Sequence, residues 1–273
     1  MSRSEAASPS GDLQGVYVLV TRPAHQAEAL CVLIESHGGH ALRFPVLEIA
    51  DPADTGPLHA VIDRLQDYEL AIFISANAVN KAMNLVRARR DWPAGLRIAA
   101  IGRGSARELE RFGHRADLCP PRKFDSEALL ALPEMQDVAG KRIVIFRGDG
   151  GREHLADTLT ARGARVEYAE AYRRVRPEAD TGRLLRHWAR GELDVITVTS
   201  SEGLHNLYDM VGKLGRQWLR KTPLVVASER MVPLARELGF RLPPVVAEDA
   251  TDEAMAAALR AWRRDTPTRD ENA

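Results

Sequence analysis

The chain has 273 residues, and its 38 basic and 38 acidic side chains cancel to a formal net charge of zero. This length suits two domains with separate cores, and the balanced charge excludes an overall field that would gather nucleic acid or an anionic membrane. Two cysteines, Cys31 and Cys119, are too few for a disulfide framework or a structural zinc site. With no signal peptide and no run of ~18 apolar residues, we expect a soluble, cytoplasmic protein.

Short apolar runs alternate with helical patterns along the whole chain. The runs predict strands at residues 16–20, 70–74, 96–101, 142–146, 194–198 and 224–227. Helical periodicity and terminal glycines predict helices at residues 24–37, 78–89, 105–112, 152–162, 203–211, 232–238 and 252–263. Shorter extended pieces are predicted at residues 41–44, 115–118, 165–168 and 245–247. Continuous apolar strands between helices indicate parallel sheets that are covered on both faces.

Two extended pieces, residues 40–50 and 165–176, run past the usual strand length and suggest a two-segment bridge between domains. We therefore predict an α/β fold of two doubly wound parallel-sheet (flavodoxin- or Rossmann-like) domains joined by a two-stranded linker. The alternative is one cut near Asp180, but the C-terminal part alone has too few strong strands for a stable sheet. The predicted boundaries are 15–47 plus 176–264 for the first domain and 52–171 for the second, with flexible tails at 1–14 and 265–273.

Small, polar or basic residues follow all six predicted strands. Ligands of open parallel sheets bind outside the carboxyl ends of the strands, and helix N-termini at that edge offer N–H donors to anions. For each hydroxyl residue taken alone, a role as helix cap is the favoured explanation. The convergence of six such joints, where a strand ends and a helix begins, favours an anionic ligand instead. The candidate binding residues are Thr21, Arg22, Ser75, Asn77, Gly102, Arg103, Ser105, Arg147, Gly148, Thr199, Ser200, Ser201, Gly203 and Ser228.

The common nucleotide, acyl-transfer and metal motifs are missing from the sequence. The stretch Gly102-Arg103-Gly104 is not GxGxxG, no GxxxxGK[ST] occurs, and Ser200 lacks a GxSxG elbow. The eight histidines show no HExxH or clustered spacing, so we expect no metal.

Tyr172 ends the second long extended piece, next to two arginines. Its phenol is a candidate donor or weak acid facing a cleft between the domains. The plainer alternative, which the residues alone favour, is a half-buried tyrosine with a hydrated hydroxyl.

Taken together, the joints resemble those of the uroporphyrinogen-III synthase family from about residue 16 to residue 262. The order and spacing of the pieces make the set specific. The last joint, at residues 227–230, departs from the IGxxT-like turn often found there, which weakens Ser228 as a ligand contact. The matching pieces are Thr21-Arg22-Pro23, Phe44-Pro45-Val46, residues 74–79, Ala100-Ile101-Gly102 with Ser105, residues 169–172, and residues 199–204.

The resemblance implies two α/β domains joined by a two-stranded ladder and a hydro-lyase that uses no cofactor. Linear hydroxymethylbilane loses water, its terminal pyrrole is inverted through a spiro intermediate, and the macrocycle closes as uroporphyrinogen III. The resemblance also implies that Tyr172 assists departure of the hydroxyl, that backbone donors bind the substrate's carboxylates, and that cleft closure positions the reactive azafulvene.

The partner expected from this resemblance is a small-molecule linear tetrapyrrole, with no nucleic acid and no membrane, bound by a monomer. The alternative from another class is a non-catalytic tetrapyrrole- or anion-sensing module of the same fold. The lack of a recognisable DNA-binding segment outside the matched region argues against that alternative.

Overall fold

The structure is a computed structural model that describes residues 12–151 and 153–266. Its strands within these ranges are β1 (Tyr17–Val20), β2 (His40–Arg43), β3 (Glu48–Ala50), β4 (Leu70–Phe73), β5 (Arg97–Ala100), β6 (Arg142–Gly148), β7 (Arg165–Val175), β8 (Val195–Val198), β9 (Leu224–Val226) and β10 (Val245–Val246). Its helices there are α1 (Ala24–Ser36), α2 (Gly56–Asp63), α3 (Ala76–Arg89), α4 (Arg103–Arg111), α5 (Ser126–Leu130), α6 (His154–Ala161), α7 (Thr181–Ala189), α8 (Ser201–Met210), α9 (Gly212–Leu219), α10 (Met231–Glu237) and α11 (Asp252–Arg264).

The chain forms two compact units. The first comprises Met1–Glu48 together with Arg176–Ala273, and the second comprises Ile49–Val175. Each unit contains a five-stranded sheet, in the order β10-β9-β8-β1-β2 in the first and β3-β7-β6-β4-β5 in the second. The pairs β1–β2, β1–β8, β4–β5 and β4–β6 are all parallel. The predicted α/β fold with parallel sheets is therefore confirmed.

Both faces of each sheet are buried, which explains why the strands are apolar at nearly every position. In the second sheet, Leu70 and Ile72 of β4 belong to one hydrophobic cluster, and the alternating Phe73 belongs to another. In the first sheet, Val18 and Leu19 of β1 divide between two clusters in the same way. Side chains alternate between the faces of a strand, so a strand covered on both sides needs apolar residues throughout.

The strand order places a topological switch point in each sheet. In the first sheet the order β2-β1-β8-β9-β10 follows the flavodoxin-like pattern, with the reversal between β1 and β8. The corresponding reversal in the second sheet lies between β4 and β6, within the order β5-β4-β6-β7. Ligands of doubly wound sheets bind at the carboxyl ends of the strands beside such a reversal.

Some predicted elements differ from the structure. The predicted extended piece at residues 40–50 is divided into β2 and β3, which belong to different sheets. The predicted piece at 115–118 makes only one isolated bridge, between Ala99 and Leu118. Helix α6 begins at His154, and Arg152, at the predicted start of this helix, lies outside the described residues.

Helices α2, α5, α7 and α9 were not predicted. Helix α2 begins with Gly56 and Pro57, residues more typical of turns, although Leu58, Val61 and Ile62 have helical spacing and are buried. Proline is tolerated in the first turn because the N–H group that it lacks has no helical partner there.

The described part of the predicted N-terminal tail is attached to the first unit. Leu13 is buried, and its N–H donates to the carbonyl of His37 at 3.0 Å. The guanidinium of Arg260 pairs with Asp12, with Nη2 2.5 Å from Oδ2, and holds the pKa of that carboxyl below its usual range. Residues 1–11 and 267–273 of the predicted tails lie outside the described residues. Between residues 12 and 266, Arg152 excepted, no helix is long and apolar enough to cross a membrane.

Candidate functional site

Four predicted site residues lie at the carboxyl edge of the second sheet, at the ends of adjacent strands. Gly102 follows β5, Ser75 follows β4, Gly148 ends β6, and Tyr172 lies near the end of β7. Ser75 and Gly148 therefore flank the switch point of this sheet. The structure thus brings residues that are far apart in sequence to one edge.

The Tyr172 side chain is buried, with only 1% of its surface exposed. Its hydroxyl lies 3.2 Å from Ser75 Oγ and accepts a hydrogen bond from Arg174 Nη2 at 3.3 Å. The guanidinium carbon of Arg174 is 5.6 Å from the centre of the Tyr172 ring. This environment differs from the half-buried tyrosine with a hydrated hydroxyl that the residues alone favoured, because the side chain is buried and its hydroxyl contacts protein groups.

An irregularity in the pairing of β6 with β7 explains this burial. Arg147 pairs with Glu170, but the next residue, Gly148, pairs with Tyr172, so β7 contains one extra residue at this point. The extra residue breaks the alternation of the strand, and Ala171 and Tyr172 are both buried.

The turn after β6 folds over the end of β7. A Cβ atom at Gly148 would lie 2.6 Å from Cε2 and Cζ of Tyr172, so only glycine fits against the ring. The Asp149 N–H donates to the carbonyl of Tyr172 at 2.9 Å, and Asp149 Oδ1 accepts from the Arg174 N–H at 3.0 Å. Gly151, with φ of 116°, adopts a backbone conformation that other residues rarely reach. The turn therefore fixes the position of the phenol.

Arg147 is buried beneath this turn, with 3% of its surface exposed. Its Nε donates to the carbonyl of Gly148 at 3.2 Å, and its Nη1 lies 3.1 Å from Glu153 Oε1. The guanidinium lies over the ring of Tyr168, 4.3 Å from its centre. Burial, followed by the nearby Glu153 carboxylate, raises the pKa of Tyr168 to about 12. Nη2 of Arg147 has no hydrogen-bond partner among the described residues.

Helix N-termini supply the rest of this edge. Ser75 caps α3, where its Oγ accepts from the Ala78 N–H at 3.0 Å, and Asn77 is partly exposed in the first turn. At the start of α4, a Cβ atom on Gly102 would lie 2.7 Å from Cβ of Phe124.

Two other candidates belong to α4. The Arg103 guanidinium carbon lies 5.1 Å from the centre of the Phe124 ring. Ser105 is buried within the helix, and Gly102 is the N-cap, so capping does not explain Ser105.

The carboxyl edge of the first sheet carries the remaining hydroxyl residues. Ser200 caps α8 by accepting from the Gly203 N–H at 3.0 Å. Thr199 is partly exposed, Ser201 is exposed at the first position of α8, and Ser228 is partly exposed after β9. Helix N-termini of this kind favour negatively charged groups.

Thr21 and Arg22 lie at the same edge, but other contacts occupy their side chains. Thr21 is buried, and its Oγ1 donates to the carbonyl of Thr197 at 2.7 Å. Arg22 pairs with Asp252 at the start of α11 and donates to the carbonyl of Ala250 at 2.8 Å. These contacts join β1 to β8 and to α11, a structural role that the sequence did not predict.

Sequence reasoning did not select Phe124, Asp149, Glu153 or Arg174 as site residues. The one sequence signal for Arg174 is its position two residues beyond Tyr172 on the same strand. For Phe124 no local signal exists, because its contact with Gly102 depends on how the segment before α5 folds back. Within residues 12–151 and 153–266, no three His, Cys, Asp or Glu side chains form a group that could hold a metal ion.

Substitution of Ser200 separates capping from ligand binding. Ser200→Ala should lower the free energy of unfolding by about 1 kcal/mol, whereas Ser200→Gly should cost only a few tenths, because glycine is a tolerable N-cap. If the hydroxyl also binds the ligand, both variants raise KM equally. Urea unfolding and KM are measured for both, with Ser201→Ala, next in the chain but not the cap, as the stability control.

The two flavodoxin-like sheets, with hydroxyl groups and helix N-termini at their carboxyl edges, define an α/β protein suited to an anionic small molecule. A model of the family described as "Uroporphyrinogen-III synthase HemD" matches residues 28–257. The uroporphyrinogen-III synthases of Salmonella typhimurium and Escherichia coli are 38% and 37% identical to the chain, and each match covers 89% of this chain and 99% of the relative. The chain therefore belongs to the uroporphyrinogen-III synthase family.

Solved structures support the same fold. A mutant uroporphyrinogen III synthase from the extreme thermophile Thermus thermophilus matches with a TM-score of 0.60 at 21% identity, covering 91% of this chain and 98% of that one. The uroporphyrinogen-III synthetase from Helicobacter pylori matches with a TM-score of 0.58 at 13% identity, covering 90% and 99%.

Proposed function

We propose that this chain catalyses the reaction for which its family is named, the cyclising dehydration of hydroxymethylbilane, with inversion of the terminal pyrrole ring, to give uroporphyrinogen III. It is accordingly a hydro-lyase of tetrapyrrole and heme biosynthesis. The observation that carries this conclusion is the match to uroporphyrinogen-III synthases at 37–38% identity over 99% of their length. The non-catalytic sensing module has no comparable support.

The substrate's carboxylates are suited to the residues at the two sheet edges. Helix N-termini provide oriented N–H groups and a partial positive charge at α3, α4 and α8. We assign the carboxylate contacts to the segments around Ser75, Gly102 and Ser200, with Arg103 and Arg147 as the nearby cations. Because the side chains of Thr21 and Arg22 have other partners, their part in binding is restricted to the backbone.

Tyr172 is the proposed source of the proton that the departing hydroxyl takes up. Its phenol contacts Ser75 and Arg174, and a phenol can both donate and accept a hydrogen bond. The azafulvene left after loss of water is then attacked by the substrate's own pyrrole. The protein's contribution to that later step is positioning, which can lower a barrier without acid–base groups.

We also propose that the two units correspond to domains at residues 15–47 plus 176–264 and 52–171, joined by a two-stranded linker. The contact boundaries at Glu48/Ile49 and Val175/Arg176 support this division. The balanced charge argues against binding of nucleic acid or an anionic membrane, and the two free cysteines favour a reducing, cytoplasmic compartment. We further propose that the chain is a monomer. Light scattering of the purified chain at several concentrations tests the monomer.

The activity is tested by supplying freshly prepared hydroxymethylbilane and separating the oxidised products by isomer. Type III product in excess over the type I isomer that forms spontaneously is expected. Type I alone, from folded protein, would contradict the proposed activity and make ligand sensing the function to test.

Tyr172→Phe removes the proposed proton donor but keeps the ring. We expect turnover to fall by about 10- to 100-fold, since a positioned acid contributes at least this much to many enzymes. The thermal midpoint should change little, because the hydroxyl's bonds to Ser75 and Arg174 are long. Single-turnover measurements of dehydration provide the test, and unchanged turnover would remove Tyr172 from the chemistry.

A further inference from the structure

The Tyr172 side chain is buried, but its hydroxyl contacts Ser75, which is partly exposed to solvent. Tyr172 is 1% exposed, and the backbone of Gly148 covers its ring. Ser75, whose Oγ is 3.2 Å from the hydroxyl, is partly exposed at the N-terminus of α3. A proton from the buried phenol therefore has a route to the sheet edge through Ser75.

The hydrogen bonds around these two residues define the direction of that route. A guanidinium group carries only hydrogen-bond donors, so Arg174 Nη2, at 3.3 Å, donates to the Tyr172 oxygen. The proton of the phenol must therefore point elsewhere. Ser75 Oγ lies within reach and already accepts from the Ala78 N–H. With the phenol donating to it as well, Ser75 accepts two hydrogen bonds, and its own proton has no acceptor among the described residues.

We propose that Ser75 Oγ donates a proton to the substrate hydroxyl, and that the Tyr172 phenol, which contacts Ser75 and Arg174, donates its proton to Ser75 in turn. This inference rests on the proposed function and deepens it. Ser75 is then the catalytic residue that touches substrate, and Tyr172 and Arg174 act through it. The position of Ser75 beside the switch point of the second sheet places it where ligands of this fold bind.

The proton transfers balance over the whole reaction. As the C–O bond of the hydroxymethyl group breaks, the leaving oxygen takes the Ser75 proton, Ser75 takes the Tyr172 proton, and water departs. The remaining phenolate lies next to the Arg174 guanidinium, which stabilises its charge. When the closed macrocycle regains its aromatic pyrrole, the proton that is released returns through Ser75 to the phenolate. One water leaves and no proton is consumed.

The test is a double-mutant cycle on dehydration. Ser75→Gly removes the serine hydroxyl but keeps a tolerable N-cap, and Tyr172→Phe removes the phenol hydroxyl that donates to Ser75. Each single variant should slow dehydration by about 10- to 100-fold. The double variant should be no slower than the slower single variant, because both substitutions interrupt the same sequence of proton transfers. Ser75→Thr, which keeps hydroxyl and cap, should restore turnover. The matched control is Asp180→Gly, which makes the same replacement of an N-cap side chain by glycine at α7.

A second measurement distinguishes proton transfer from packing. The unaltered chain should show a solvent deuterium isotope effect on dehydration, and Ser75→Gly should reduce it. Normal turnover in Ser75→Gly with slow turnover in Tyr172→Phe would overturn the relay and leave the phenol acting directly, as would multiplicative effects in the double variant. Absence of type III product from the unaltered chain would instead overturn the proposed function, and the relay with it.

Discussion

Replacing Gly148 with alanine should reduce turnover by more than about 100-fold, a larger loss than removal of the Tyr172 hydroxyl alone. The added methyl group would lie 2.6 Å from two carbons of the Tyr172 ring, well inside van der Waals contact. The ring is buried and cannot turn aside, so both the phenol and the turn after β6 must move. Overpacking of this kind also costs about 1–3 kcal/mol of stability.

The matched control is Gly95→Ala, which adds the same methyl group where no atom lies within 4 Å. It should keep full turnover and equal or slightly raised stability, since alanine reduces the freedom of the unfolded chain. A second variant, Gly148→Ala with Tyr172→Leu, should regain stability but not activity. Normal turnover in Gly148→Ala would contradict the position of the ring against the glycine and, with it, the geometry assigned to the phenol.

The sheets were predictable from the sequence because their signal is local. A strand buried on both faces must be apolar at almost every position, and all six predicted runs are strands of the two sheets. The joints that follow them were predictable for the same reason. Once the strands are known to be parallel, the residues after each one share an edge, and Ser75 and Gly148 indeed flank the same switch point.

What could not be predicted depends on contacts between distant residues. The burial of Tyr172 follows from an extra residue in the pairing of β7 with β6, and no pattern within β7 reports its partner. Arg22 pairs with Asp252, 230 residues further along the chain. The sequence does not distinguish an arginine that pairs with a carboxylate of the protein from one that is available to a substrate. The fold is needed to set Arg22 apart from Arg103 and Arg147, the cations proposed to lie near the substrate carboxylates.

Arg147 is a buried cation whose guanidinium makes only some of the hydrogen bonds available to it. It is 3% exposed, it has one carboxylate partner in Glu153, and its Nη2 has no partner among the described residues. Glu153 is itself largely exposed, so water weakens the attraction between the two charges. A buried cation with incomplete hydrogen bonding lowers the stability of a fold, and a well-packed apolar residue of similar size is often better by about 1–4 kcal/mol.

We therefore expect Arg147→Met to raise the thermal midpoint and, at the same time, to raise KM by about 10- to 100-fold, the value of one charge-assisted hydrogen bond to a substrate carboxylate. Methionine can pack against the Tyr168 ring that the guanidinium now covers. Melting curves and KM are measured together. The control is Arg142→Met, at the opposite end of the same strand, where the arginine side chain is 47% exposed. A higher midpoint with unchanged KM would remove Arg147 from the binding site. A lower midpoint would show that its contacts with Gly148 and Glu153 hold the turn, and that the destabilising effect of the unpaired Nη2 is the smaller of the two.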